Sequence, residues 1–353
     1  MAGDDSVRGG VLLVETPGSD FFWQGASGMS DPGTGTGMTP GDQFRSASVG
    51  KMFCASAVMM LVEEGEFGLD EAIGQHLPGA LVGGLHVLDG RDRGAEITAR
   101  QLLNHTSGLA NYFRLPGFQQ MLAEAPDRLW QPSEVIAYVK DQAPPLFEPG
   151  GGWHYSDTGY LLLGLIVEHV TGKGLHQIYR ERLLEPLGLE GTYMVFREER
   201  RPGPVGDEPS HVYLGDLDYT PVRALSADWA GGGLVTTSGD LNRFIRAFAE
   251  NGVFAKPGTR REMLSWMPTG EGGVYYGLGV RRFMLDELGM RGYGEVWGHS
   301  GSSKSFMFYW PEKDTTLCGT LNQDLAEGAW SEALPVAGIL PEALREVGQA
   351  TGA

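Results

Sequence analysis

Ser48-Val49-Gly50-Lys51 sets a hydroxyl and an amine one helical turn apart, and it is the only Ser-x-x-Lys in the chain. Read as the start of a helix, this spacing sends both side chains out on the same face. The helix N-terminus adds partial positive charge and free backbone N–H groups beside the hydroxyl. A serine hydroxyl attacks a carbonyl only when a base takes its proton. Lysine can be that base only where burial disfavours its ammonium form. The apolar run Met52 to Val62 that follows suits such burial.

Two later clusters could complete this chemistry. Tyr155-Ser156-Asp157 stands just before an apolar helical stretch, and His299-Ser300-Gly301 ends a predicted strand, with Ser302 and Ser303 following. A phenol and an imidazole are both groups that move or polarise protons. Other histidines lack metal-ligand spacing, and H-E-x-x-H and G-x-S-x-G are both absent. His105-Thr106-Ser107-Gly108 mimics the third cluster but falls at a helix-to-loop junction and reads as a structural turn. Gly33, Gly35 and Gly37 lack the G-x-G-x-x-G spacing of a nucleotide loop, so 28–41 reads as a flexible connection.

The elements that must carry these residues follow from periodicity. Gly10–Val14 and Phe21–Gly25 read as strands joined by a Pro17-Gly18-Ser19 turn. Ser48–Glu64 reads as a helix buried on all sides and stopped by Gly65. Helices are predicted over Ala99–Asn104, Ser133–Asp141, Thr158–Val170, Gly174–Leu183 and Asp240–Glu250, the last capped by Thr237 or Ser238. Strands follow at Gly277–Phe283, Val296–Ser300, Phe306–Trp310 and Thr316–Leu321, and a helix closes the chain around Pro341–Gln349. Strands at both ends and helices in the middle predict an α+β fold. An α/β domain would be formed by 1–70 with 226–353, and a mainly helical domain, 71–225, would be inserted, with the cleft between them.

Ser-x-x-Lys, then Tyr-x-Asn, then Lys/His-Thr/Ser-Gly is the ordered signature of the penicillin-recognising serine enzymes. The chain resembles the β-lactamase-related family of class C β-lactamases, D-alanyl-D-alanine carboxypeptidases, D-aminopeptidases and esterases of that fold. The flanking segments MTPGDQFRSASVGKMF, ITARQLLNHTSGL, FEPGGGWHYSDTGYLLLGLIVEHVTG, SADWAGGGLVTTSGDLNRF and VWGHSGSSKSFMFYWPE agree, from about Gly10 to Asn322. The resemblance implies a β-lactamase/penicillin-binding-protein-like fold, an antiparallel sheet flanked by helices. Ser48 would be the acylated nucleophile, Lys51 its proton shuttle, and Tyr155 the general base and then acid. Backbone N–H groups of Ser48 and Ser302 would form the oxyanion hole. His299 would replace the more familiar lysine and polarise the site near Tyr155, while Ser300 and Gly301 line an edge strand under the substrate. No metal or organic cofactor is implied.

Asp157 departs from the asparagine usual in this family. An ionised aspartate only accepts hydrogen bonds, and beside Lys51 it favours the ammonium. Two roles remain open for it: capping the next helix while holding Lys51, or receiving a cationic amine of the substrate. Lys304 reads as a solvated edge lysine.

With 45 acidic against 27 basic residues, the net charge of −18 repels phosphate backbones and excludes nucleic acid as a partner. No apolar run is long enough for a membrane span. The first ten residues lack the pattern of a secretory signal, which predicts a cytoplasmic enzyme. Cys54 and Cys318 read as buried, reduced thiols. The expected activity is cleavage of small esters or D-aminoacyl amides and peptides. The alternatives are a β-lactamase or D-alanyl-D-alanine carboxypeptidase, a biosynthetic acyltransferase or peptide cyclase, and a non-catalytic ligand-sensing module. Substrate choice depends on loops such as Tyr112–Pro132 and Arg197–Tyr219, and oligomeric state stays open.

Overall fold

A computed structural model describes residues 7–324 apart from 207 and 215. The helix expected around Pro341–Gln349 lies outside the described residues. Nine strands form the main sheet: β1 Gly9–Thr16, β2 Phe21–Asp31, β3 Thr36–Gly37, β4 Met267–Pro268, β5 Val274–Tyr276, β6 Arg281–Met284, β7 Glu295–Ser300, β8 Phe306–Trp310 and β9 Thr315–Thr320. Their spatial order is β4-β5-β6-β7-β8-β9-β1-β2-β3. Every pairing is antiparallel, so the first strands of the chain close against the last, with Leu13 opposite Cys318.

Three helices anchor the site to this sheet: α1 Gly50–Glu64, α2 Asp157–Thr171 and α3 Ser238–Ala249. Residues 52–59 of α1 are all buried, as an apolar stretch with no polar face requires. Its packing includes Phe53 stacked on Phe244 of α3 with ring centroids 4.0 Å apart. Gly65 ends it in the left-handed conformation, at φ 81°. Thr237 caps α3 by accepting from the Asp240 N–H at 3.0 Å. Cys54 and Cys318 are both buried and unbonded to another sulfur.

Some expectations give way. The segment 28–41 is an ordered hairpin of β2 and β3, not a loose connection, because Asp31 accepts from Gly33 N at 2.8 Å and from the Thr34 hydroxyl at 2.7 Å. Of the strand expected over Gly277–Phe283, only the end belongs to β6, and 277–280 form the turn between β5 and β6. Gly279 turns the chain at φ 78° where a Cβ would lie 2.3 Å from Ala55 Cβ, so the backbone there meets α1 directly. Ser300 is not on a sheet edge: β7 lies between β6 and β8. Its end is open on one side only because β6 begins opposite Gly298. Lys304 is buried in a turn at φ 56° rather than solvated, because Lys304 N–H donates to Gly301 O at 3.0 Å.

Candidate active site

Ser48 lies in a 3-10 turn, Ala47–Val49, that runs directly into α1. Ala47, the residue before it, has a left-handed backbone at φ 44°, a conformation that costs a non-glycine residue about 1–2 kcal/mol. His105, Trp229 and Lys304 around the same site also have positive φ. Strain of this kind persists where the surroundings fix it, and it gathers at functional sites.

The three protons of the Lys51 ammonium all have acceptors. It donates to Ser48 Oγ at 3.0 Å and to Gly231 O at 2.8 Å, and it forms an ion pair with Asp157 Oδ1. Burial alone would push the Lys51 amine down, since no part of the residue is exposed. Asp157, then Tyr155 and Asp228, override that penalty and hold it above its ordinary value. With its protons so placed, the amine has no lone pair to offer Ser48. The depressed lysine that the sequence reading asked for is therefore replaced by a permanent ammonium, and the carboxylate at position 157 is the cause.

Asp157 is the first residue of α2, and Ser156 stands at the cap position. The Ser156 hydroxyl turns instead to Ala110 O at 3.0 Å. The second oxygen of Asp157 accepts from Asn111 Nδ2 at 2.9 Å. Both carboxylate oxygens are thus occupied from within the chain. Asp157 holds Lys51, as one of its two expected roles has it, but it does not cap the helix.

Tyr155 is buried beside two cations. Lys51 Nζ lies 5.0 Å from its ring centroid and the Arg281 guanidinium carbon 4.9 Å. Against the ring, His105 packs at a 40° tilt with centroids 4.4 Å apart, and its Nδ1 accepts from the Ser156 N–H at 3.1 Å. The motif-like segment at 105–108 is thus the platform that fixes the 154–156 stretch, which also bonds through His154 N–H to His105 O at 2.9 Å. Burial, with Lys51 and Arg281 nearby, holds the His105 imidazole well below its ordinary value.

His299 is fully buried and meets the site through Tyr276. Its Nδ1 must carry the proton, since it donates to Ser300 O at 2.8 Å, and Nε2 then accepts from the Tyr276 hydroxyl at 2.9 Å. Burial first, then Arg281 and Lys51, keep this imidazole neutral, far below its ordinary value. A positive charge beside Tyr155 comes from Arg281, which sits on β6 opposite Gly298. Tyr276 in turn packs edge-on to Tyr155 at 6.3 Å.

The segment after β7 is stitched to the chain just before Ser48. Ser303 Oγ donates to Arg45 O at 3.1 Å, and the Ser305 hydroxyl donates to Ser46 O. Gly301 N–H donates to Ser305 O at 2.8 Å, closing a turn with Ser302 exposed at its tip. A Cβ on Gly301 would lie 2.8 Å from Ala47 Cβ, so only glycine lets this turn approach Ser48. Among the described residues no group of histidines, cysteines or carboxylates is arranged to hold a metal ion, and no helix is long and apolar enough to cross a membrane.

Sequence reasoning missed Arg281, Tyr276, Asn111 and Asp228. An arginine directly after the apolar Leu278-Gly279-Val280 was a usable signal for the first. Asp228, ahead of three glycines, was one for the last.

A mainly antiparallel sheet closed by both ends of the chain, with Ser-x-x-Lys at the start of a buried helix and a tyrosine beside the amine, is the architecture of the β-lactamase and penicillin-binding-protein fold. Comparison with known proteins is more specific. The chain belongs to the Beta-lactamase family, whose model matches residues 2–336. It is 34% identical over 260 residues to penicillin-binding protein 4 of Amycolatopsis lactamdurans, covering 72% of this chain and 62% of that one. The chain thus spans less than two thirds of that relative's length. It is 29% identical to esterase EstB of Burkholderia gladioli over 83% of this chain and 81% of the esterase. Among solved structures, the D-amino acid amidase of Ochrobactrum anthropi SV3 complexed with D-phenylalanine superposes with a TM-score of 0.79 at 26% identity, covering 97% of this chain and 95% of that one.

Proposed function

We propose that this chain forms an acyl-enzyme on Ser48 and hydrolyses small esters or D-aminoacyl amides and peptides. The observation that carries the reading is the Ser48 hydroxyl held at 3.0 Å by a lysine whose other protons are fixed by Gly231 O and Asp157. Because Lys51 is an ammonium, the base is Tyr155. Its phenolate oxygen takes the Ser48 proton as Oγ bonds to the substrate carbonyl carbon. Lys51 and Arg281 offset the phenolate's negative charge. The backbone N–H groups of Ser48 and Ser302 receive the carbonyl oxygen as it gains charge, each such donor contributing about 3–4 kcal/mol to the transition state. Tyr155 then gives its proton to the departing amine or alkoxide, and the acyl–oxygen bond to Ser48 remains. Water repeats the sequence, losing a proton to Tyr155, which passes it to Ser48 Oγ as the acyl–oxygen bond breaks and the acid is released.

The esterase and the D-amino acid amidase among the similar proteins support this substrate class. A panel of p-nitrophenyl esters, D-aminoacyl amides, nitrocefin and D-alanyl-D-alanine peptides ranks the candidates. The esters and D-aminoacyl amides should lead, with activity falling about 10³-fold or more in Ser48→Ala. Nitrocefin as the best substrate, or ester turnover that survives Ser48→Ala, contradicts the reading.

A further inference from the structure

A substrate with a free amine needs an anionic partner near Ser48, and Asp157 cannot be that partner because Lys51 and Asn111 occupy both of its oxygens. A second carboxylate lies in the same place. Asp228 joins two 3-10 turns, Arg223–Ala227 and Trp229–Gly231, and the chain after it is strained at Trp229, φ 36°. A Cβ built on Gly231 would lie 2.9 Å from Asp228 Oδ1, 3.5 Å from Asp157 Oδ1 and 3.6 Å from Lys51 Nζ. A Cβ on Gly232 would lie 2.6 Å from Asp228 Oδ2 and 2.4 Å from the carbonyl carbon of Ala47, the residue before the nucleophile. The two glycines therefore leave room for this carboxylate beside Lys51 and the Ala47 backbone. Asp228 is partly buried, and no hydrogen bond to its carboxylate is present among the described residues, whereas Asn111 donates to Asp157. Around Lys51, two carboxylates face one ammonium, with Arg45 the other nearby cation.

We propose that the Asp228 carboxylate receives the α-ammonium group of the acyl donor, so that D-aminoacyl compounds with a free amine are preferred over their N-acylated or neutral counterparts. This rests on the Ser48 acyl-enzyme reading and names the substrate class within it. The groups facing Asp228 are Lys51 from α1, Asp157 from α2 and Arg45. Burial pushes the Asp228 carboxyl up to about 7, Asp157 adds to this, and Lys51 and Arg45 oppose it. Preference for the cationic substrate is therefore lost as pH falls through the neutral range.

The test compares D-phenylalanine p-nitroanilide, its N-acetyl form and p-nitrophenyl acetate in wild type and Asp228→Asn. The ratio of kcat/KM for the free-amine anilide to that for the ester should fall about tenfold or more in the variant, mainly through KM. In wild type the same ratio should fall between pH 8 and pH 6. A ratio unchanged by the substitution, or parallel loss on all three substrates, overturns the proposal; parallel loss would mean that Asp228 acts on Lys51 instead. Wild type that turns over the ester through Ser48 but rejects the free-amine anilide sinks this proposal and leaves the hydrolase reading intact. Absence of any Ser48-dependent turnover sinks the hydrolase reading. Calorimetric binding of D-phenylalaninol to wild type is independent of turnover and of the variant's folding. Affinity should drop about tenfold from pH 8 to pH 6, and a flat profile refutes the subsite.

Discussion

Replacing Asp157 by asparagine removes the charge that keeps Lys51 protonated. The perturbation is nearly isosteric, but its electrical effect is large because Lys51 is fully buried and the Asp157 side chain only 10% exposed. Removing one member of such a pair costs about 3–5 kcal/mol. The lower end applies here, about 3 kcal/mol, because Asp228 still faces the ammonium and an asparagine oxygen still accepts from it. Asn111 adds a constraint: its Oδ1 accepts from Phe113 N–H at 3.0 Å, so its amide is fixed with Nδ2 toward position 157. An asparagine there must turn its oxygen to either Lys51 or Asn111. For a chain of 353 residues the unfolding entropy is about 0.7 kcal/mol per kelvin, so the melting temperature at pH 7 should fall by about 4 °C. The sign with pH follows from linkage. Lys51 is raised above its unfolded value, so its stabilisation is complete below about pH 10.5 and is lost only as pH rises through the folded value. The deficit should therefore be constant from about pH 8 to pH 9, above the Asp228 carboxyl, in melts followed by circular dichroism. In the variant Lys51 loses the support of Asp157 and gives up its proton at lower pH than in wild type, so kcat/KM on esters should fall earlier on the alkaline side. Unchanged melting together with a rise in alkaline activity would refute this reasoning and restore Lys51 as a neutral base.

Further outcomes follow from the same geometry. Tyr155→Phe should lower kcat on esters by about 10²–10⁴-fold, since proton transfer is lost while the ring remains; stopped-flow burst analysis measures it. Gly232→Ala places a Cβ 2.4 Å from the Ala47 backbone, so Ser48 must move. About a hundredfold loss in kcat is expected, with stability lowered by about 1–3 kcal/mol, from paired kinetics and melts. The imidazoles of His105 and His299 are held below their ordinary value, so neither should gain a proton between pH 8 and about pH 5.5 in heteronuclear NMR titrations. Their unfolded forms do gain one below about pH 6.5, so each lowers stability by about 1.4 kcal/mol per further pH unit of acidification; Asp228, raised on folding, offsets part of this.

The parts of this molecule visible in the sequence are those encoded locally. Apolar alternation and turn residues mark β1, β2, β7, β8 and β9, and an unbroken apolar run marks α1. The Ser48–Lys51 spacing is a property of one helical turn. Contacts made across the chain left no local trace. Arg281 becomes Tyr155's second cation only because β6 pairs with β7, and Asp228 meets Lys51 only because three glycines let the backbone pass against Ala47. The helix Pro116–Glu124 was missed because it opens with Pro-Gly, has no side-chain cap and buries only Phe118 and Leu122. The protonation state of His299 was not legible for a related reason. Sequence gives residue type, whereas the imidazole's neutrality comes from full burial and from Ser300 O and Tyr276.

The most direct test is covalent capture of the nucleophile. Treatment with a fluorophosphonate, followed by intact mass and peptide mapping, should find one adduct, carried by the hydroxyl at Ser48, and none after Ser48→Ala. A label seated on any other side chain, or full labelling of the alanine variant, contradicts the account.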